Sequence, residues 1–573
     1  MNISKQKTTW KLAAAIYILA ACLLSLSFLE SFPFVHSDES WLAGLSRAML
    51  EEKSIGVTEP FFDARPRYPH GIKALFHLMQ MGMITLFGYG VRAARLLSWI
   101  GGAGALWMCF LGGTRFLGSE KKGFFLMAAF SLDIQFLYAS HFGRQEIWLC
   151  LVQWICIWKL FSPEGFYHGK TAVFLGICTG ASIGFHPNSF LMGMMNGLCF
   201  LAGALEERKG KEKGSWWKPL AWYVSVTAAF GAAFVGLSFS MDGRFLSHYF
   251  SNGAAEFGID AGAAEKVLGF FGFLRRLYER NSGTYYLPDI RFQFFLFGGS
   301  FFLAAAVYAV MKQELGKMAG RLRILFAGAA GVAAGMMVIG RYNQTSIIFL
   351  FPFGYMAAGA AMELFEGKVQ KGLWAILLSS VLCLSTAQVK AEVKKGSYGA
   401  YERQLRELIP EGAKVLGNLN TEFFMGYGCL KDYRNLPYAL EEGGLEEYLD
   451  KNQIEYIVYC QELDFLWEHR PYYNVIYGNV MFVQELKEYC QNSCHLVGSF
   501  KDPWYGIRVS GLRGQEEYAQ VAVYRRVSSK PPLPRFTALG IGGLPDFPRW
   551  GTVPGRPGKI AGYRMLYCQE LLQ

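Results

Sequence analysis

Gly71-Ile-Lys73-Ala-Leu-Phe-His77-Leu-Met-Gln80-Met-Gly-Met-Ile-Thr-Leu-Phe87 is apolar enough to cross a bilayer, yet it carries a lysine, a histidine and a glutamine. Whether it crosses decides which side of a membrane every later segment occupies. Around it lie eleven clearer apolar runs, close to the roughly 20 residues that a bilayer core about 30 Å thick requires. They cover 11–30, 91–113, 123–139, 147–161, 171–186, 188–204, 217–239, 291–311, 322–339, 345–363 and 372–388, the fourth and fifth being short. Lysine and arginine in short links mark the cytoplasmic side, because carrying them across during insertion is unfavourable. With the N-terminus inside, the cytoplasmic segments hold eighteen such residues, grouped at 5–11, 115–122, 170, 208–218, 312–323 and 368–371. The short outer links hold only Arg144 and Arg341. If 71–87 crossed, the fifteen charges beyond the first three would face outward. The segment is therefore expected along the outer interface as an amphipathic or re-entrant helix, with a twelfth span as the alternative.

The composition agrees with a membrane as solvent. Of 573 residues, 52% are apolar and only 18% charged, against roughly 25% charged in soluble chains, and the mean hydropathy is +0.19. With 16% aromatics and 65 glycines, the chain is neither disordered nor collagen-like nor a small disulfide scaffold. A net charge of +11 would suit nucleic acid if gathered on one soluble face; here the basic residues sit mostly between apolar runs, so no nucleic-acid partner is expected. Seven of the twelve cysteines lie inside those runs, where a lone thiol is a small apolar filler. Leu19-Ala-Ala-Cys22 fits a lipoprotein cleavage pattern, but the apolar stretch continues to Leu29, and an uncleaved anchor is expected.

An odd span number places residues 389 onward outside. Three outer segments are long: 31–90, 240–290 and a terminal domain of about 397–527. In the last, 414–417, 454–459 and 521–524 read as strands and 401–408 and 444–451 as helices, predicting a small extracytoplasmic α/β domain behind a transmembrane domain of residues 1–395. Residues 528–573 hold seven of the 20 prolines without apolar periodicity and are expected to be mostly disordered. Cys490 and Cys494, with His495 adjacent, suit a metal pair on one helix face; structural or disulfide-bonded cysteines are the alternative.

Chemistry gathers in the outer links. After the first run the chain reads Phe34-Val-His-Ser-Asp38-Glu39-Ser-Trp41. Such carboxylates can act as bases on a hydroxyl acceptor; Ser37 or Asp38 can equally cap a helix over 39–50. Arg65-Pro-Arg67-Tyr68-Pro-His70 is a rigid cationic turn suited to a phosphate or to anionic lipid headgroups. Ser140-His-Phe-Gly-Arg144-Gln-Glu146, His186-Pro-Asn188 and Arg341-Tyr-Asn-Gln344 occupy further outer turns. Interfacial charges are costly, so several on one face suggest a shared site.

The order Asp38-Glu39 after the first run, Tyr68-Pro69, Ile84-Thr-Leu-Phe87-Gly88, Arg95-Leu-Leu-Ser98 and Arg144-Gln-Glu146 resembles the GT-C superfamily, in particular its protein O-mannosyltransferase and lipid A aminoarabinose transferase branch. The resemblance implies an integral membrane glycosyltransferase of the plasma membrane that takes its sugar from a polyprenyl-phosphate donor and hands it to a hydroxyl of a protein, lipid or cell-wall glycan. It maps the base onto Asp38, beside Glu39, and the second acid onto Glu146, where the family usually has aspartate; the family's paired prolines appear as Pro69-His70. The acceptor oxygen would attack the anomeric carbon opposite the leaving phosphate, with inversion. The departing anion needs charge stabilisation, for which Arg65, Arg67, Tyr68, Lys73 and Arg341 are the candidates. His70, Arg144 and His186 are further site candidates. No cofactor and no metal is needed on this account. The rival class is a multi-span transporter or a flippase for the lipid-linked sugar; these often show internal repeats and midplane polar sites, and here no repeat is evident and the acids lie in the outer links.

Overall fold

A computed structural model describes residues 3–163, 165–210, 216–257, 261–280, 283–311, 317–340, 342–471 and 477–527, and residues 3–527 form one compact unit. Its helices in chain order begin with α1 (Ile3–Leu26), α2 (Ser37–Glu51), α3 (Ala74–Phe87), α4 (Val91–Leu117), α5 (Glu120–Leu132), α6 (Ile134–His141), α7 (Glu146–Leu160) and α8 (Gly169–Ser182). There follow α9 (Ser189–Gly210), α10 (Lys218–Met241), α11 (Phe245–Phe257), α12 (Ala263–Glu279), α13 (Arg291–Met311), α14 (Lys317–Ile339), a 3-10 turn (Gln344–Leu350) leading into α15 (Phe351–Met362), and α16 (Gly367–Val393). The expected tail, 528–573, lies outside the described residues.

Among the described residues, eight helices are long and apolar enough to cross a membrane, or nine if the bent pair α5–α6 is one span. This corrects the expected eleven. The two that fall short are α7 and α8, of 15 and 14 residues, which at 1.5 Å per residue reach roughly 21–23 Å. α7 nonetheless ends where α4 ends, since Arg115 at the foot of α4 donates to the Trp158 carbonyl. The α5–α6 bend of 68° centres on Asp133, whose Oδ1 caps α6 by accepting the Gln135 amide at 2.7 Å while Oδ2 accepts Gln293 of α13 and Tyr355 of α15. A buried carboxylate persists there because each oxygen has donors. All twelve residues of α15 are buried, so it forms the centre of the bundle. Small residues allow this: a Cβ on Gly354 would stand 2.4 Å from the Phe297 ring of α13.

The 71–87 segment is helical from Ala74 to Phe87, and its 14 residues are too few to cross a bilayer. Its polar side chains turn inward: the Ser46 hydroxyl of α2 meets His77 Nδ1 at 2.8 Å and Gln80 Oε1 at 2.7 Å, while Leu78, Leu86 and Phe87 are exposed. Arg95 at the start of α4 donates to the carbonyls of Leu29 and Pro33, just past α1. The chain therefore leaves α1 and re-enters α4 at the same end of the bundle.

That end carries a five-stranded sheet of order β2-β1-β3-β5-β4, with β1 Val415–Gly417, β2 Leu430–Asp432, β3 Tyr456–Cys460, β4 Cys494–Lys501 and β5 Gln520–Arg526. β2 and β3 pair parallel to β1, whereas β5 runs antiparallel to both β3 and β4. Three strands match the expected ones; β2 is too short, and β4 too exposed along its length, to stand out as alternating apolar sequence. Cys490 lies in the last turn of the helix Phe482–Ser493, whereas Cys494 opens β4, so the pair does not share a helix face. Both are free thiols, and among the described residues no cluster of three or more potential metal-ligating side chains occurs.

The sheet is docked on α2: Ser40 Oγ donates to the Leu419 carbonyl at 2.7 Å and Arg47 Nη1 to that of Met425 at 2.9 Å. Between these contacts lies buried Glu422, within 3.3 Å of the Tyr89 hydroxyl. Burial pushes its pKa up from 4.5 to about 8, with Arg47 and Tyr89 offsetting part of the rise. A raised folded-state pKa contributes stability that is full below the ordinary value and lost as pH rises through the folded one. Melting temperature should accordingly fall between about pH 5 and pH 8.5, and Glu422→Gln should flatten that slope. A variant that melts with the wild-type pH dependence would show that Glu422 does not set it.

Candidate functional site

The helix that carries the acidic pair starts at Ser37, two residues earlier than expected. His36 is its N-cap: Nδ1 accepts the Asp38 amide at 3.0 Å, and Glu39 Oε2 accepts the His36 amide at 3.0 Å. Neither Ser37 nor Asp38 caps, which releases the Asp38 carboxylate for other partners. With Nδ1 accepting, the imidazole proton sits on Nε2 and donates to Thr284 Oγ1 at 2.9 Å. The ring stacks on Tyr285 with centroids 4.5 Å apart. Burial, with Arg508, Arg513 and Arg144 nearby, lowers its pKa to about 3 against the pull of Asp38, so His36 is neutral at physiological pH.

Glu39 is fully buried and fully engaged. Oε1 accepts Arg95 Nε and the Gly143 amide, both at 2.8 Å; Oε2 accepts Arg95 Nη2 at 2.8 Å besides the His36 amide. It ties α2, α4 and the α6–α7 turn together. Gly143 allows the approach, since a Cβ there would lie 3.1 Å from Glu39 Oε1.

Asp38 points the other way, with 22% of its side chain exposed. Oδ2 is paired with Arg144 Nη1 and accepts the Tyr285 hydroxyl. Arg144 also reaches Glu146, Nη2 to Oε1 at 2.9 Å, and donates to Tyr285 at 2.7 Å. Glu146 Oε1 accepts Thr345 Oγ1 at 2.7 Å, and Asn343 holds Thr345 through Oδ1 and Tyr285 through Nδ2. One guanidinium thus joins both acids, and four separate connections meet at one place. Burial alone would raise the Asp38 pKa, but Arg144, His36, Tyr285 and Arg508 outweigh it and hold the carboxyl well below its usual range. Burial works against the Arg144 charge, yet Glu146, Tyr285 and Asp38 keep it protonated.

The other expected residues form a second group. The Arg65 and Arg67 guanidinium carbons lie 5.2–5.8 Å from the Trp41 and Phe62 ring centres, and Glu59 grips Arg67 through Nε at 2.9 Å and Nη2 at 2.7 Å. Tyr68 stacks on His248, which hydrogen-bonds Asp242 at 2.7 Å. His70 Nδ1 donates to the Ile72 carbonyl at 2.9 Å, and the ring packs near Phe245 and Tyr249. Lys73, in a left-handed conformation, precedes α3; burial, with the Lys73 charge nearby, lowers the pKa values of His70 and His77. His186 Nδ1 accepts the Asn188 amide at 3.0 Å, in a turn that reaches Ser346 through Asn188. Arg341 lies outside the described residues.

Several site residues had no signal in the sequence. His36 and Asn343 stand inside the quoted stretches but carry no motif. Tyr285, Thr345 and Arg508, whose Nη2 donates to Ser37 Oγ at 2.5 Å, arrive from distant segments, and nothing in their spacing points to Asp38.

No protein-family model matches this sequence, and no curated protein does either. Solved structures do. ArnT from Cupriavidus metallidurans bound to undecaprenyl phosphate superposes with a TM-score of 0.57 at 14% identity, covering 92% of this chain and 100% of that one. Its apo state gives 0.56 at the same identity and coverage. The apo oligosaccharyltransferase of Archaeoglobus fulgidus gives 0.52 at 11% identity, over 87% of this chain and 74% of the other. The chain therefore shares the fold of these proteins, a mostly helical bundle bearing a small sheet-containing region.

Proposed function

We propose that this protein is an integral membrane glycosyltransferase that moves a sugar from a polyprenyl-phosphate donor to an acceptor hydroxyl, by a single inverting displacement with Asp38 as base. The observation that carries the reading is the Asp38–Arg144–Glu146 bridge, partly open at Asp38, at the end of the bundle that bears the sheet. The fold likeness to ArnT, which was crystallised with undecaprenyl phosphate, supports a lipid-phosphate donor, and with it the transferase branch named by the motifs.

In this reading the acceptor hydroxyl lies on Asp38 and loses its proton as its oxygen meets the anomeric carbon. A carboxylate held low by Arg144 is a weak base at rest. An incoming phosphate competes for that guanidinium, and drawing Arg144 off Asp38 would raise the basicity where the donor is bound. The leaving phosphate is stabilised by cations, with no proton donor needed; Arg65, Arg67, Lys73 and Arg341 are the proposed set, with Tyr68 and His70 lining the same turn and His186 on a neighbouring one. Glu146 positions Arg144, and Glu39 acts through the backbone it holds. The basic clusters in the links opposite the sheet support a cytoplasmic side for those links, with the sheet-bearing region, residues 397–527, outside a plasma membrane, behind a catalytic domain of residues 1–395.

The test is to incubate purified protein with polyprenyl-phosphate sugars and a hydroxyl acceptor and to measure free polyprenyl phosphate. Release that depends on the acceptor, with an inverted anomer in the product, is expected. Donor that crosses vesicle membranes without being consumed would identify a flippase instead.

A further inference from the structure

Three arginines face Trp41, and one of them, Arg434, comes from the sheet-bearing region, which also sends Arg508 to Ser37 of the same helix. Arg434 follows β2, its guanidinium carbon 4.6 Å from the Trp41 ring centre and 4.7 Å from that of Phe62, the same two rings that Arg65 and Arg67 face. The placement is built: Asn435, next in sequence, accepts the Ala64 and Arg65 amides at 3.2 and 3.1 Å and donates to the Phe61 carbonyl at 2.8 Å. Arg508, between β4 and β5, stands on Ser37 beside Asp38. Arg508 and Arg65 are near enough to Arg434 to lower its pKa, in addition to the effect of its burial and against the pull of Asp432.

Two of these guanidinium groups, those of Arg434 and Arg508, are not fully satisfied. Arg434 and Arg508 are 7% and 4% exposed, yet Arg434 Nη2 and Arg508 Nε and Nη1 are buried without a hydrogen-bond acceptor. Leaving a buried charged donor unmade is costly, so such groups call for a partner. Glu59 is taken by Arg67, Glu462 by the Arg508 and Val509 amides and Tyr477, and Asp432 Oδ1 by Arg434 itself. Asp432 Oδ2 is also buried without a donor. Orphan donors beside one orphan acceptor match a phosphate ester: its oxygens accept from the guanidinium forks, and a protonated oxygen or neighbouring hydroxyl donates to Asp432.

We propose that Arg434 and Arg508, with Arg65 of the outer loop, form a phosphate-ester site next to Asp38, so that the sheet-bearing region completes the substrate site. This rests on the transferase reading for the identity of the ligand, and not for its chemistry. Binding is measured without turnover, using the full-length protein in lipid nanodiscs with a polyprenyl monophosphate, its uncharged alcohol and inorganic phosphate as probes. Wild type should prefer the phosphate over the alcohol, and Arg434→Gln and Arg508→Gln should each weaken it about tenfold. Arg508→Lys, which keeps the charge and loses the fork, should fall between. The exposed Arg406→Gln should bind as wild type. Parallel loss for inorganic phosphate means the site reads phosphate from solution as well; loss for the lipid alone assigns it to the donor. If Arg508→Gln does not fold, Arg434→Gln and Arg508→Lys carry the test. Variants that melt like wild type and bind both phosphates with unchanged affinity overturn the site. Binding through these arginines without sugar transfer would count against the transferase reading alone.

Discussion

Asp38→Asn should lower sugar transfer by about three orders of magnitude while the protein melts within a few degrees of wild type. The amide is isosteric and can still accept the Tyr285 hydroxyl, but it cannot take a proton. Arg144 retains Glu146 as its counter-ion, so the loss of one carboxylate does not strand a buried charge, and the structural effect stays small. A companion measurement separates a base from a mere anchor. Because the Asp38 carboxyl is held below its usual range, it remains ionised through mild acid, and no acid limb from it should appear in kcat/KM above about pH 4. A variant that keeps transfer within tenfold of wild type removes Asp38 from the chemistry, and a limb near neutrality that vanishes in Asp38→Asn would contradict its low pKa.

The other large effect concerns stability. Arg95→Met should destabilise the protein by about 3–5 kcal/mol, enough to abolish most folded material. Arg95 and Glu39 are both fully buried, and the guanidinium additionally satisfies the Leu29 and Pro33 carbonyls. Removing it leaves a carboxylate in the interior with no counter-charge. The cost comes mostly from that uncompensated charge, so adding Glu39→Gln to the variant should restore part of the stability. Thermal unfolding in detergent, followed by tryptophan fluorescence, checks both. A single variant that melts with wild type would mean that Glu39 is not held by Arg95 in the folded protein, and its positioning role would fall with it.

The acidic pair shows where sequence reading stops. Asp38 and Glu39 are adjacent, of like charge, and equally plausible as caps or bases in a linear text. In the fold, an α-helix turns consecutive side chains by about 100°, and this turn sends Glu39 into the core to Arg95 while Asp38 faces Arg144. The capping role went to His36, whose Nδ1 replaces the usual hydroxyl or carboxylate, a substitution that cap preferences do not anticipate. The same holds for the spans. Counting apolar runs finds the long helices of the bundle, but it reads α5 and α6 as one, and α7 and α8 need their actual ends before their length can be compared with a bilayer.

What the sequence determined by itself is the membrane character, the shared end for the outer links, the three best strands of the sheet and the order of motifs, because hydropathy, charge placement and local periodicity are written along the chain. Only tertiary structure decided which of those residues meet. Arg144 joins Asp38 to Glu146, Tyr285 and Thr345 arrive from segments more than a hundred residues away, and Arg434 and Arg508 come from beyond the last span. Such convergence depends on how helices pack and where the chain returns, and these long-range contacts leave no periodic trace in a single sequence.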